Sequence, residues 1–161
     1  MTVLAAWGVF ILVYYPQTPE HLASHFNAQG VPNGWSSKNF FYGLTFGILA
    51  MDVLVFLWLP RQRWFFNHKT RNLPNRDYWF APGRAEETSD YLKAQWIWLG
   101  VASMALQTVV TYLAVEANLN PPPRLSSMAG WFIVGYFVYV AAWLVLLFSR
   151  FRRIPDEPRP A

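Results

Sequence analysis

The stretch FFYGLTFGILAMDVLVFLWLP, residues 40–60, decides the fold because it is almost uninterruptedly apolar and contains a single charge, Asp52. At roughly 1.5 Å of rise per residue, a helix of this length crosses a hydrocarbon core about 30 Å thick. Two further stretches of similar length, 94–115 and 128–149, contain no charged residue. None of the three has a wide polar stripe. The sequence therefore predicts an all-α membrane protein.

The segment 2–15 is also apolar, but its length of about 14 residues is short for a span. A signal peptide is disfavoured because no basic residue precedes the apolar run and no small-x-small site follows it. We interpret the segment as a fourth transmembrane helix; a half-inserted segment and a start codon assigned too late are the alternatives. The prediction is one four-helix domain over 1–154 and a disordered tail over 155–161.

Composition supports a membrane protein and excludes several kinds of chemistry. Charged residues make up 14% of the chain, against about 25% in a typical soluble domain. The absence of cysteine excludes disulfides, thiolate metal sites and a cysteine nucleophile. The net charge of +4 does not indicate nucleic acid, because the basic residues are distributed as membrane topology requires.

The basic residues predict the orientation of the chain. Eleven lie in the second connection and the C-terminal tail, namely Arg61, Arg63, Lys69, Arg71, Arg76, Arg84, Lys93, Arg150, Arg152, Arg153 and Arg159. The first and third connections, 16–39 and 116–127, contain one each, Lys38 and Arg124. Basic residues are retained on the cytoplasmic side. We therefore expect both termini and 61–93 in the cytoplasm, with 16–39 and 116–127 outside a bacterial inner (plasma) membrane.

The inner connection 61–93 mixes basic residues with aromatic ones such as Trp64, Tyr78 and Trp79. Such a segment is predicted to lie at the headgroup boundary, where its arginines would meet anionic lipid. A short helix is expected from Arg84 into the third span, with Glu86 and Glu87 in its first turn.

Asp52 is the most unusual residue, because an ionised carboxylate near the middle of a span costs roughly 2.5–3.5 kcal/mol to insert. Counting along the helices places Ser103, Tyr139 and Trp143 at a similar depth, with Gln107 about one turn further out. We expect these side chains to be its hydrogen-bond partners. The group is either a proton or cation site, a buried ligand contact, or a protonated or hydrogen-bonded Asp that fixes helix packing.

Two further patterns concern a metal site and a helix contact. Glu20–Phe26 could form one or two helical turns, which would put His21 and His25 on one face as a zinc pair requires. The alternative is that His25 hydrogen-bonds within the outer turn and His21 lies at the interface. Gly43 and Gly47 form a G-x-x-x-G pair that allows close helix approach, either within the chain or at a dimer seam.

No catalytic arrangement is evident in the sequence. It contains no Gly-rich phosphate loop, no paired carboxylates on one face and no Ser/His/Asp set that can be argued. We therefore expect a protein without enzymatic activity, cofactor or bound metal.

The outer connection, residues 16–39, carries a motif that resembles a known family. In HFNAQGVPNGWSSK, residues 25–38, a His is followed by a Gly, a Pro-Asn-Gly turn and a Ser-Lys; the matching residues are His25, Asn27, Gly30, Pro32, Gly34, Ser37 and Lys38. The motif is similar to the bacterial membrane domain of unknown function at the N-terminus of SdpI-type immunity and signal-transduction proteins. The run 75–88 looks like stand-alone members of that family. The resemblance implies that residues 25–38 form a ligand-binding motif.

Three functions are compatible with these observations. The first is a non-enzymatic membrane protein of the immunity or sensing type, in which residues 25–38 recognise a peptide, lipid or envelope component. The second is an accessory subunit of a larger membrane complex. The third is a proton- or ion-coupled transporter centred on Asp52.

Overall fold

The computed structural model of the chain describes residues 2–62, 65 and 72–155, with side chains from residue 5 onward. The predicted disordered tail, 155–161, lies outside the described residues except for Pro155. Residues 63, 64 and 66–71 of the predicted interfacial connection lie outside them as well.

The described part of the chain is mostly helical, with one small two-stranded sheet near its N-terminus. In chain order the elements are α1 (Thr2–Tyr14), β1 (His21–Phe26), β2 (Pro32–Ser37), α2 (Lys38–Asp52), a π-helical segment (Val53–Trp58), a 3-10 turn (Leu59–Arg61), α3 (Arg76–Trp79), α4 (Ala85–Leu119) and α5 (Met128–Arg152). We call the end of the bundle that carries β1 and β2 the hairpin end. The opposite end, where α2 and α5 lead into Arg61 and Arg152, is the basic end.

Among the described residues, three helices are long and apolar enough to cross a membrane by length and composition: Lys38–Arg61, Ala85–Leu119 and Met128–Arg152. The prediction of span-length helices is confirmed for these three. The first helix has 13 residues, which cover about 20 Å, less than the roughly 30 Å of a hydrocarbon core. A fourth complete span and the orientation of the chain stay predictions.

The prediction of helical turns over Glu20–Phe26 is wrong, and the fold is not all-α. Residues His21–Phe26 form a strand that pairs antiparallel with Pro32–Ser37. Leu22 and Ala23 are both buried, which a free-standing strand would not show because successive side chains point to opposite faces. The hairpin therefore lies against the helices, and its register is irregular between Ala23 and Phe26.

Three apolar clusters follow one another along the bundle. At the hairpin end, Leu22 packs with Phe41, Tyr42, Ala114 and Val115. In the middle, Trp7 packs with Leu49 and Met104, which joins α1 to α2 and α4. At the basic end, Phe151 packs with Leu92. The hairpin is thus continuous with the core of α1, α2 and α4.

The close helix approach comes from a glycine that the sequence analysis did not single out. A Cβ placed on Gly100 of α4 would lie 2.2 Å from the Phe56 Cβ, so only glycine fits there. Gly43 and Gly47, in contrast, have no described atom within 4 Å of such a Cβ. The expected helix contact within the chain is therefore not made at these two residues.

Candidate functional site

The tip of the hairpin is a turn built by Asn27. Its Oδ1 accepts hydrogen bonds from the backbone N–H groups of Gln29 at 3.0 Å and Val31 at 2.9 Å. Its own backbone N–H donates to the Val31 carbonyl at 2.9 Å. An Asn side chain that bonds to the backbone two residues on is a common way to stabilise a turn. The Asn27 side chain therefore shapes the tip.

Gly30 attaches the tip to the connection between α4 and α5. The Leu125 N–H donates to the Gly30 carbonyl oxygen at 2.9 Å. Gly30 has φ +75, and a Cβ on it would lie 2.4 Å from the Leu125 carbonyl oxygen. Both the backbone conformation and the space favour glycine. The outer motif is thus fixed to a segment almost a hundred positions later in the chain.

Gly34 and His25 face each other across the two strands. A Cβ on Gly34 would lie 3.0 Å from the His25 Cβ, so the histidine ring covers the glycine. Within the described part of the chain, the His25 side chain has no hydrogen bond, which differs from the expected bond in the outer turn. No group of three His, Cys, Asp or Glu residues suitable for a metal ion occurs among the described residues.

Ser37 and Lys38 secure the start of α2. The Ser37 Oγ accepts from the Phe40 N–H at 3.3 Å as an N-cap, an interaction typically worth about 1 kcal/mol. The Lys38 Nζ lies 2.7 Å from Glu20 Oε1 and 4.5 Å from the centre of the Tyr15 ring. Lys38 is buried, so the structure shows it as an anchor that holds the base of the hairpin to α2.

Asn118 clamps the first strand to α4. Its Oδ1 accepts from the Ala23 N–H at 2.7 Å, and its Nδ2 donates to the carbonyl oxygens of Ala23 at 2.9 Å and Ala114 at 2.8 Å. Asn118 is not among the site residues predicted from sequence. The available signal is a primary amide near the end of an apolar helix, where it needs polar partners.

Two grooves adjoin the hairpin and share Arg124. The larger, about 790 Å³, lies between the tip and the start of α5; it is lined by Phe26, Asn27, Ala28, Gln29, Gly30, Arg124, Leu125, Ser126, Ser127, Ala129, Gly130 and Ile133. The smaller, about 410 Å³, is lined by Val31, Pro32, Trp35, Pro122, Pro123 and Arg124. Trp35 is 58% exposed. The exposed surface of the hairpin end therefore combines an arginine, a tryptophan and prolines.

Of the seven motif residues, the structure places Asn27, Gly30 and Pro32 on these grooves. Gly34, Ser37 and Lys38 build the scaffold below them, and His25 is exposed on the first strand. Trp35 and Arg124, which the sequence analysis did not propose as site residues, complete the surface.

The polar residues inside the helices do not gather around Asp52. The Ser103 Oγ lies 2.6 Å from the Tyr136 hydroxyl oxygen, and the Trp143 Nε1 donates to Gln95 Oε1 at 2.9 Å. The Gln107 Nε2 donates to the Thr45 carbonyl oxygen at 2.7 Å. Tyr139 is exposed and lines a shallow apolar groove between α4 and α5. The expected partnership with Asp52 is wrong, since Asp52 has no hydrogen bond within the described residues.

Asp52 directly precedes the π-helical segment. In this segment the Leu59 N–H donates to Leu54 O, five residues back. The same pattern would pair the Val55 carbonyl with residue 60, a proline without an N–H. The Trp96 Nε1 of α4 supplies the missing donor at 3.0 Å. The widened turn is thus stabilised by a neighbouring helix.

At the basic end, the run Asn75–Trp79 caps α5. The Asn75 Nδ2 donates to the carbonyl oxygens of Phe151 at 3.0 Å and Arg152 at 2.9 Å. The Trp79 Nε1 also donates to the Phe151 carbonyl oxygen, at 3.1 Å. These are carbonyls that a helix leaves unpaired at its C-terminus. We call Asn75, Trp79 and the end of α5 the inner clasp.

Comparison with known proteins identifies one segment. No curated protein and no solved structure matches the chain. Residues 1–51, which contain α1, the hairpin and nearly all of α2, match a family model described as a domain of unknown function, DUF1648. The matched segment thus carries the motif residues of the hairpin end, while Asn118 and Arg124 lie outside it.

Proposed function

We propose that this chain is a small, non-enzymatic integral membrane protein of the immunity or sensing type, whose hairpin end recognises a ligand outside the cell. The matched domain contains the hairpin. The resemblance of residues 25–38 to the N-terminal domain of SdpI-type proteins supports an immunity or signalling role. The predicted orientation puts the hairpin end outside.

The observation that carries the proposal is the pair of grooves that meet at Arg124. They lie beside a hairpin that is held by the Asn118 clamp, the Gly30–Leu125 hydrogen bond and the Lys38–Glu20 ion pair. Rigid support of an exposed surface is what a recognition site needs, because less conformational entropy is lost on binding.

The chemistry of the surface indicates the kind of ligand. Arg124 favours a carboxylate or phosphate, with which a guanidinium forms two parallel hydrogen bonds. Trp35, Pro122 and Pro123 offer stiff apolar contacts. A peptide, lipid or envelope component that carries a negative group beside an apolar one fits both features. In the proposed function, the basic inner connection passes the signal on.

The test compares the wild type with two variants, Trp35→Ala and Arg124→Gln. Each protein carries a photo-crosslinking probe at Asn33 and is isolated from native membranes after crosslinking. The expected result is a crosslinked ligand in the wild type that is lost in both variants at equal protein levels. The matched control is Glu116→Gln, an exposed residue of α4 at the same end. Unchanged crosslinking in both site variants would contradict the proposal.

A second function, an accessory subunit of a membrane complex, is favoured by α5. Only Ala129 and Phe151 of this helix are buried, while residues such as Trp131, Phe137 and Val145 are exposed. A helix with so much open apolar surface requires lipid or another membrane protein around it. Extraction in a mild detergent followed by mass measurement separates the two functions, because a lone monomer or homodimer would reject the subunit.

A further inference from the structure

A small cleft at the basic end lies between the N-terminal part of α4 and the end of α5. Arg84, directly before α4, and Arg150 of α5 line it from opposite sides, together with Thr88, Glu87 and Tyr91. Its floor is the Trp79–Phe151 ring contact, with centroids 5.4 Å apart. The enclosed volume is about 20 Å³, so a ligand would sit across its mouth, with one group reaching in.

Both guanidinium groups of the cleft are held in place by aromatic rings. The Arg84 Cζ lies 3.9 Å from the centre of the Tyr78 ring, and its Nε donates to the Tyr78 carbonyl oxygen at 3.0 Å. The Arg150 Cζ lies 3.9 Å from the centre of the Tyr91 ring. Stacking on a ring fixes the plane of a guanidinium and leaves its edge free for hydrogen bonds.

Neither arginine forms an ion pair in the part of the chain that the structure describes; the ion pairs there are Lys38–Glu20 and Lys93–Asp90. The carbonyl oxygens at the end of α5, which would repel an anion, already accept hydrogen bonds from Asn75 and Trp79. The Thr88 hydroxyl is used as well, since it donates to the Trp79 carbonyl oxygen at 2.7 Å. The two guanidinium groups are therefore not paired with a carboxylate among the described residues, although the exposed Glu87 lines the same cleft.

We propose that Arg84 and Arg150 form a discrete binding site for the phosphate group of an anionic phospholipid. Arginine forks match phosphate geometry, and basic pockets between membrane helices are suited to lipid headgroups. The Glu87 carboxylate at the rim would accept hydrogen bonds from headgroup hydroxyls, which favours phosphatidylglycerol. The site is independent of the proposed recognition at the hairpin end, which lies at the other end of the bundle.

The experiment uses the full chain in a mild non-ionic detergent, with native mass spectrometry of added phosphatidylglycerol. The wild type is expected to form a one-to-one adduct that phosphatidylcholine does not form. A charge-assisted hydrogen bond to phosphate contributes roughly tenfold to affinity. We therefore expect Arg84→Gln with Arg150→Gln to weaken the adduct by at least about tenfold.

The matched control is Arg152→Gln with Arg153→Gln, which removes the same charge at the same end from two exposed side chains. This pair is expected to change the affinity by less than about twofold, because exposed charges outside the cleft are screened by solvent and salt. An equal loss in both double variants would overturn the proposal, because it would mean that the charge acts diffusely. An inorganic phosphate adduct as tight as the lipid adduct, and lost in the same Gln variant, would also overturn it, since the site would then serve a soluble anion.

Arg84→Lys with Arg150→Lys keeps the charge and removes the planar guanidinium fork. If the Gln variant does not fold, this variant tests whether lipid binding depends on the two guanidinium groups. A several-fold weaker adduct at an unchanged melting temperature is expected. An affinity equal to that of the wild type would contradict a site built on guanidinium geometry.

Discussion

Asn118 connects two parts of the chain that lie 95 positions apart in sequence. It is 5% exposed, and its amide pairs with both backbone groups of Ala23. A buried donor or acceptor left without a partner costs about 1–3 kcal/mol. Asn118→Leu is therefore expected to lower the free energy of unfolding in detergent by about 2–4 kcal/mol and to expose the Ala23 amide to hydrogen exchange.

The matched control is Asn120→Leu, two residues further along. The Asn120 side chain is exposed and donates to the Glu116 carbonyl oxygen at 2.9 Å. Its replacement is expected to change stability by less than about 0.5 kcal/mol. If the two variants were equally stable, Asn118 would not be holding the hairpin.

Two glycines separate the effect of backbone conformation from that of a close contact. Gly30 and Gly83 both have positive φ, +75 and +90, but a Cβ on Gly83 meets no described atom within 4 Å. Gly83→Ala should cost about 1–2 kcal/mol for the left-handed conformation alone. Gly30→Ala should cost at least about 1 kcal/mol more, because the Cβ would overlap the Leu125 carbonyl oxygen. Equal losses in thermal unfolding would contradict the close contact.

Depth along a helix is readable from sequence, but rotation about its axis is not. Asp52 and Ser103 were expected to meet because counting puts them at the same depth. In the structure, Ser103 faces Tyr136 of α5 instead. Contacts such as the Asn118 clamp depend on a distant backbone segment, which no local pattern reveals. The residue-level contacts were therefore the least predictable part of the candidate site.

At the scale of elements, long apolar runs predict helices well, whereas the hairpin was missed. The spacing of His21 and His25 is typical of one helix face, yet HLASHF forms a strand. The reason is tertiary: Leu22 packs into the cluster of α2 and α4, and Ala23 binds Asn118. Strand preference depends strongly on such surroundings.

The π-helical segment gives a prediction about Trp96. Trp96→Phe keeps a ring near Phe56 and Phe65 but removes the donor to the Val55 carbonyl oxygen. We expect a loss of about 1 kcal/mol of stability, because the partly buried Val55 carbonyl oxygen would lose its donor. Trp98→Phe, at a residue that is 63% exposed, should have little effect on thermal unfolding.

A double variant shows whether Trp96 stabilises the protein through its N–H group or through packing. Pro60→Ala restores a backbone N–H that can donate to the Val55 carbonyl oxygen, five residues back, as in the π-helical segment. Combined with Trp96→Phe, it should therefore cost less than the sum of the two single changes. Strict additivity would show that Trp96 acts through packing and not through its N–H group.

The inner clasp explains the Asn75–Trp79 run, which is distinctive in sequence but offers no mechanism there. Asn75 has φ 51 and ψ 37, a left-handed conformation that Asn tolerates better than most residues. Asn75→Ala removes two hydrogen bonds to α5, and alanine adopts the left-handed conformation less readily than asparagine. We therefore expect the free energy of unfolding to fall by about 2–3 kcal/mol. Hydrogen exchange should rise in the last turn of α5, whereas Asn72→Ala, at an exposed residue, should leave it unchanged.

At the scale of the whole molecule, the exposed apolar surface of the helices fits a chain that is surrounded by lipid. The helix α5 leaves most of its apolar surface open, and the three clusters follow one side of α4 rather than forming a single closed core. Composition and hydropathy were sufficient to predict this environment. Composition and hydropathy do not predict the position of α1. This helix has only 13 residues, too few for a regular span, and its position is fixed by packing against α2 and α4.

The orientation is the prediction on which the proposed recognition depends, and the absence of cysteine makes it directly measurable. Single-cysteine variants at Asn33 and Asn120 place a thiol at the hairpin end, and those at Glu86 and Arg153 place one at the basic end; all four residues are exposed. Because basic residues are retained in the cytoplasm, a membrane-impermeant maleimide should label the first two in intact cells. The other two should react only after the membrane is opened. The reverse pattern would put the grooves around Arg124 in the cytoplasm, where an extracellular ligand does not reach them.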